Sequence, residues 1–268
     1  MTGRDDSWLR TRIGSSTADS ITVGGHDLAG DLMGKVSFSE LAFLLVAQRS
    51  PSAAELRLFD AVLVSLTDHG LTPTVLAARL THTGAPESLQ GAIAAGLLGG
   101  GSVYLGPTED TARFLHDVLA GIPTPSPPDA ALEDAAQAAV RARLAEGERV
   151  PGLGHPIHKA VDPRVPRLFA IAEEGGLLGP HLRLLRAVSQ AHAAQSGRRL
   201  PINGAGAAGA ALADLGMPPS LARGFALLAR TAGLVAHLGE EMEHPLGPRL
   251  YAEIDERVRR ATPPASPD

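Results

Sequence analysis

The segment PGLGHPIHKAVDPR, residues 151–164, gathers much of the chain's chemistry. Two imidazoles, His155 and His158, stand three residues apart. Lys159 follows directly, and Arg164 comes after Asp-Pro. Gly152 and Gly154 let the backbone turn sharply and approach a ligand with no Cβ in the way. An imidazole after that turn can donate to a carbonyl or hydroxyl, and an ordinary pKa of about 6.5 lets it change protonation near neutrality. Arg164 presents a planar fork that matches a carboxylate. Taken alone, the stretch is equally a loop with one solvated arginine and a capping histidine.

Other places bear on that choice. His69 closely follows a helical pattern, in TDHGLTPTVLAAR, and LLGGGSVYLGPTED is a glycine-rich connection between helices. Arg230 stands inside the apolar run LLARTAGLVAH, where an unpaired buried charge is costly. It calls for a carboxylate, from a side chain or from a ligand. In HLGEEMEH, residues His237, Glu240, Glu241 and His244 share a helical face that can hold a divalent metal. No recognised metal motif is present, so the cluster reads as a domain-interface or ligand-shell feature, and no metal is expected.

The elements that must position these groups are nearly all helical. The chain has 268 residues and is 44% hydrophobic but only 3% aromatic, so alanine and leucine do most of the packing, which favours close-packed helices. ITVGGHDL suggests a small strand or hairpin. Ser37 with Glu40, and Ser52 with Glu55, have capping-box spacing before apolar helical runs. TPTVLAARL, SLQGAIAAGLLGGG and TEDTARFLHDVLAG read as helices. The proline-dense IPTPSPPDA marks a connection, and Asp129 is placed to cap the helix after it. Further helices follow Pro166 and run through HLRLLRAVSQAHAAQ. PINGAGAAGAALADLG suits a buried helix closely approached by another backbone. A long final pattern covers PPSLARGFALLARTAGLVAHLGEEMEH, with a break expected near Gly233, and the tail ATPPASPD reads as disordered. The expectation is an all-α fold with a minor N-terminal β element.

The net charge of −5, with no basic block, offers nothing to nucleic acid or an anionic membrane. The absence of cysteine fits a reducing cytosol. The polar N-terminus lacks a leader's apolar core, and no run is long enough to span a membrane, so a cytoplasmic protein is expected.

The order and spacing of these pieces resemble the citrate synthase superfamily, most closely its short members related to citryl-CoA lyase. That family carries a DH segment, a GPxHGGA turn, a GxGHxxxKxxDPR stretch, a PNVDG segment and an RxxGxxAH helix in this order, and the likeness runs from about residue 20 to 250. It implies a dimeric, two-domain helical fold, with residues 1–107 and 211–268 forming a large domain and 108–210 a small one. Matched residue by residue, it gives His69, Arg164, Arg230 and Asn203 to binding of oxaloacetate or citrate. His155 falls on the group that polarises the keto or hydroxyl oxygen. Gly152, Leu153, Gly154 and Lys159 fall on the coenzyme A site.

The departures concern the acetyl carbon. Leu105, in YLGPTE, stands where the family has the histidine that bonds the thioester oxygen. LPINGAGAAGA places Ala205 on the general-base aspartate, or Asn203 if the alignment is shifted. Tyr104 and His158 are candidate substitutes, with Glu109 and Asp110 suited instead to the first turn of a helix. His158 joins His155 as a catalytic candidate. Arg249 is a candidate for the arginine that some relatives supply across the dimer. The resemblance thus implies a citryl-CoA lyase-like enzyme that cleaves or forms a C–C bond in a citryl-CoA-type thioester, yielding acetyl-CoA and oxaloacetate. Coenzyme A would be part of the substrate, with no permanently bound cofactor. The alternatives are a divergent enzyme for another acyl-CoA and oxo-acid, and a non-catalytic paralogue that binds citrate or coenzyme A.

Overall fold

A computed structural model describes residues 11–261 of the chain. The first ten residues, half of the polar start read as lacking a leader, lie outside the described part. So do residues 262–268, nearly all of the tail read as disordered. Three short strands, β1 (Gly14–Ser16), β2 (Ile21–Val23) and β3 (His26–Asp27), form an antiparallel sheet in sequence order. The Gly24-Gly25 turn closes the hairpin between β2 and β3, both glycines having positive φ. A single π-helical turn, Leu28–Leu32, leads into the helices.

Eleven helices follow among the described residues: α1 (Phe38–Ala47), α2 (Ala53–Leu66), α3 (Pro73–Gly84), α4 (Leu89–Tyr104), α5 (Pro107–Ala120), α6 (Asp129–Ala145), α7 (Arg164–Glu174), α8 (Pro180–Ser196), α9 (Gly204–Asp214), α10 (Ala222–Glu243) and α11 (Gly247–Ala261). No helix among the described residues is long and apolar enough to cross a membrane. Ser37 and Ser52 cap α1 and α2 as their spacing predicts, but only Ser52 completes the reciprocal box with Glu55. Asp129 does not cap α6: Pro128 occupies the cap position, and Asp129 instead accepts from Arg183 Nε at 2.9 Å.

Three other expectations are corrected. The glycines of LLGGGSVY continue α4 rather than forming a loop, and the helix bends where Gly101 adopts φ +47°. α10 is unbroken through Gly233, where a Cβ would lie 2.3 Å from the Thr67 carbonyl. The glycine is there for a close crossing with the end of α2. After α10 the chain turns and forms α11, a helix not anticipated from the sequence.

One large cluster of buried residues runs from Phe43 and Phe59 through Leu115, Leu132 and Leu182 to Leu212 and Phe225. A smaller one, Val75, Ala78, Ala92, Leu234 and Leu238, ties α3, α4 and α10 together. α9 threads the main cluster and is buried continuously from Gly206 to Leu212. Its small residues admit neighbouring backbones: a Cβ on Gly209 would lie 2.3 Å from the Thr108 carbonyl, and one on Gly206 would lie 2.5 Å from Gly152 Cα. The latter contact presses the 151–154 turn against the start of α9, and so fixes where His155 emerges.

Candidate functional site

Four parts of the chain converge: the loop after α2, the loop between α6 and α7, the N-terminus of α9 and the middle of α10. The 150–155 segment is held by short antiparallel pairing with residues 201–203. Gly154 N–H donates to the Pro201 carbonyl at 2.8 Å, and Asn203 N–H donates to the Gly152 carbonyl at 2.9 Å. Gly152 and Gly154 have φ of +82° and +81°, which a side chain would strain. Asn203 caps α9 with Oδ1, accepting from Gly206 N–H at 2.8 Å, and its Nδ2 donates to the Gly154 carbonyl at 2.9 Å. Both ends of this amide therefore serve to fasten the turn to the helix.

His69, His155 and His158 form a triangle. Ring centroids are 4.5 Å apart for His155 and His158, 5.3 Å for His69 and His155, and 5.5 Å for His69 and His158. His155 has a defined tautomer. Its Nδ1 accepts from the amides of Ile157 and His158, each at 3.1 Å, so the neutral ring carries its proton on Nε2. Burial lowers the His155 pKa, and the charges of His158, Arg164 and His69 push the same way, against the pull of Asp162. At neutral pH His155 is thus a neutral donor. Lys159 reaches back to the His155 carbonyl at 3.1 Å.

One ring nitrogen from each histidine lies within 4.8 Å of the others, a spacing that invites comparison with a metal site. The Nδ1 contacts of His155 oppose that use, because they leave its other nitrogen protonated. The guanidiniums of Arg164 and Arg230 would also repel a cation. The same features suit an anion.

Arg164 opens α7 and is clasped by Asp162, two residues earlier. Nε donates to Oδ1 at 2.9 Å and Nη2 to Oδ2 at 2.7 Å, while Nη1 reaches the Ser65 carbonyl at 3.2 Å. Asp162 is completely buried and also accepts from Gly204 N–H at 2.7 Å. Burial pushes its carboxyl upward, but the Arg164 hydrogen bonds, the Gly204 amide and the Arg164 charge outweigh this and hold it at about 2. A Cβ on Gly204 would lie 2.3 Å from Arg164 Cζ, so that glycine makes room for the guanidinium.

Arg230 lies in α10 with 8% of its surface exposed. Its Nε and Nη1 are buried without a hydrogen-bond partner, and Asp68 Oδ1 is 3.9 Å from Nη1. Burial lowers its pKa; Asp68 opposes the shift and Arg164 adds to it. A guanidinium so placed has donors to spare for an incoming carboxylate.

Behind Arg230 lies a polar chain. His237 Nε2 donates to Asp68 Oδ1 at 2.8 Å, and Arg79 Nη2 donates to His237 Nδ1 at 3.0 Å. Arg79 is 3% exposed, pairs with Glu241 Oε2 at 3.0 Å and also bonds Glu240. Glu241 in turn accepts from the amides of Leu246 and Gly247, at 2.9 and 2.7 Å, fixing the start of α11. His237, Glu240 and Glu241 thus hold an arginine and a helix end, while His244 is exposed at the end of α10.

His155, His158, His69 and Arg164 are brought together as the sequence suggested, with Arg230 and Asn203 beside them. Asp162, Asp68 and Arg79 were not assigned roles. The signals were an acid two residues before Arg164, an acid directly before His69, and an arginine inside the apolar α3. Leu105 is 5% exposed and its side chain fills the space beside Gly100, whereas Tyr104 is 52% exposed. Ala205 is half-buried next to Asn203. Glu109, in the first turn of α5, bonds Arg113 at 2.8 Å and pairs with Arg223 at 3.1 Å; Asp110 shares that turn, and Arg249 is exposed on α11.

Comparison with known proteins bears on the family and the fold. Citryl-CoA lyase from Hydrogenobacter thermophilus is 32% identical and superposes with a TM-score of 0.78, over 88% of this chain and 87% of that one. ATP citrate lyase from Methanothrix soehngenii, solved with citrate and coenzyme A, is 20% identical (TM-score 0.70; 88% of this chain, 40% of that one) and shares the fold. The curated relative "Putative citrate synthase 2" of Mycobacterium bovis is 29% identical over 210 residues, 74% of this chain. This chain spans about half the length of that relative, 51%. Residues 37–250 match the family described as "Citrate synthase, C-terminal domain". That match takes in most of the helices described above, from α1 through α10, and the chain belongs to the citrate synthase family.

Proposed function

We propose that this protein binds a citrate-type carboxylic acid between Arg164 and Arg230 and cleaves, or forms, a C–C bond in its coenzyme A thioester, as a citryl-CoA lyase does. The observation that carries the reading is Arg230, a buried guanidinium with unsatisfied donors, beside a second arginine and a histidine that can only donate. A di- or tricarboxylate satisfies all three. His155 Nε2–H would then hold the substrate's hydroxyl or keto oxygen, with His69 as a further donor. Gly152, Leu153, Gly154 and Lys159 would receive the coenzyme A thioester, which is substrate rather than resident cofactor. On the same reading the protein works as a cytoplasmic homodimer, and residues 108–210 close over the remainder to exclude water.

Calorimetric titration with citrate, oxaloacetate and coenzyme A, singly and together, tests this. Truncating one member of a desolvated charge pair costs about 2–5 kcal/mol, so Arg230→Leu should weaken carboxylate binding by about 30-fold or more. Absence of carboxylate binding to the wild-type protein would overturn the assignment. Leu105 and Ala205 favour a second reading, a non-catalytic paralogue that binds these ligands. Binding with no turnover of citryl-CoA or other acyl-CoA thioesters would select it. Turnover abolished in His155→Ala would exclude it.

A further inference from the structure

The tautomer of His155 has a consequence for proton transfer. A group whose Nδ1 lone pair is taken by two backbone amides, and whose Nε2 carries the proton, cannot accept a proton from substrate. Leu105 is buried in hydrocarbon contacts, Ala205 has no ionisable group, and Asn203 is an amide with both ends engaged. Asp162 is clasped by Arg164 and Gly204, and Asp68 by His237 and Gly70. The hydrogen bonds of the site thus account for every acid and imidazole except His158 and His69. Neither ring makes a hydrogen bond among the described residues.

His158 is the better placed of the two. Its ring stacks on His155 at 4.5 Å with 30° between planes, closer than His69 comes to either. It is half-buried, and it follows His155 in the loop that also carries the 151–154 turn. We propose that His158 is the proton-carrying catalytic residue of this site, acting beside the oxygen that His155 holds.

This rests on the function proposed above and adds a step that balances within one side chain. In cleavage, neutral His158 takes the proton of the citryl hydroxyl. The O–H pair becomes the ketone π bond, and the C–C bond breaks. Its electrons pass to the acetyl carbon as the thioester enolate, and His158 returns the same proton to that carbon. Oxaloacetate and acetyl-CoA result with no net proton gained or lost. The oxygen and the carbon are attached to the same central carbon, so one base beside His155 can serve both. His158 faces the rings of His155 and His69, and the other charged groups of the site are Lys159 in its own loop, Arg164 and Asp162, which act on His155, and Asp68 with Arg230.

The test uses the full chain and citryl-CoA as substrate, comparing the wild type with His158→Gln, His158→Ala and His69→Gln. The expected result is a fall in kcat of about 10²- to 10⁴-fold in both His158 variants, with citrate affinity from calorimetry within about threefold of wild type. The acid limb of the wild-type pH–rate profile should disappear in His158→Gln. Free imidazole should partly restore His158→Ala, which loss of packing alone would not permit. A kcat for His158→Gln within tenfold of wild type, or a loss confined to His69→Gln, overturns the proposal. Citrate binding by the wild type without turnover also overturns it while leaving the carboxylate site standing. Absence of binding overturns the underlying function instead.

Discussion

The clasp between Asp162 and Arg164 should report itself in the pH dependence of stability. The carboxyl lies at about 2 in the folded chain against an ordinary 3.8. At about 1.4 kcal/mol per unit, this difference is worth about 2 kcal/mol. Because the folded pKa is depressed, the stabilisation is fully present above the unfolded pKa and is lost as pH falls through the folded one. About half should be gone by pH 3 and most of it by pH 2. Asp162→Asn removes the charge and turns one of the two acceptor oxygens into an NH2 donor, so at most one of the two Asp162–Arg164 side-chain hydrogen bonds survives beside the Nη1 contact with Ser65. Breaking a buried pair costs about 3–5 kcal/mol, and the 21% exposure of the Arg164 side chain sets the expectation at the lower end, about 3 kcal/mol at pH 7. Chemical denaturation followed by far-ultraviolet circular dichroism, on both proteins at several pH values, measures this directly. The gap should narrow by about 1 kcal/mol between pH 7 and pH 3. A gap that stays constant would refute the depressed carboxyl. A gap under about 0.5 kcal/mol at pH 7, the range of an ordinary surface substitution, would refute the clasp as a structural element.

Gly206→Ala would improve an exposed helix, but here the new Cβ meets Gly152 Cα at 2.5 Å, backbone against backbone. A loss of about 1–3 kcal/mol is expected, with weakened carboxylate binding as the 151–154 turn is pushed off α9; a stabilised variant in the same denaturation assay would contradict the close approach. Arg79→Met strands the buried Glu241 carboxylate, which the Leu246 and Gly247 amides together with Arg79 hold below its ordinary value despite burial. A loss of about 3 kcal/mol lowers the calorimetric melting temperature by about 6–12 °C. The double variant Arg79→Met/Glu241→Gln should lose less than the sum of the singles; strict additivity would show that the two groups are not coupled.

The helices were legible because their signals are local. Serine caps with glutamate three residues on, apolar residues at three- and four-residue spacing, and proline at first turns act within one or two turns of chain. Misreadings came where a distant contact decided the outcome. Glycine looked like a break at Gly233 because propensity counts its backbone freedom, whereas the Thr67 carbonyl sets the requirement there. Asp129 looked like a cap, but Arg183 on α8 provides a stronger partner. α11 went unread because its charged sequence buries only Gly247, and its start is fixed by Glu241 of the preceding helix.

For the site, the sequence by itself determined the chemical inventory: a glycine turn, two imidazoles and an arginine in one loop, with His69 and Arg230 elsewhere. Residue type sets what a group can donate or accept, so those candidates needed no coordinates. Only the tertiary structure decided how the groups are used. Two backbone amides choose the tautomer of His155, Asp162 orients Arg164, and burial without partners leaves Arg230 waiting for an anion. Tautomer, orientation and desolvation depend on neighbours that the chain brings together only when it folds.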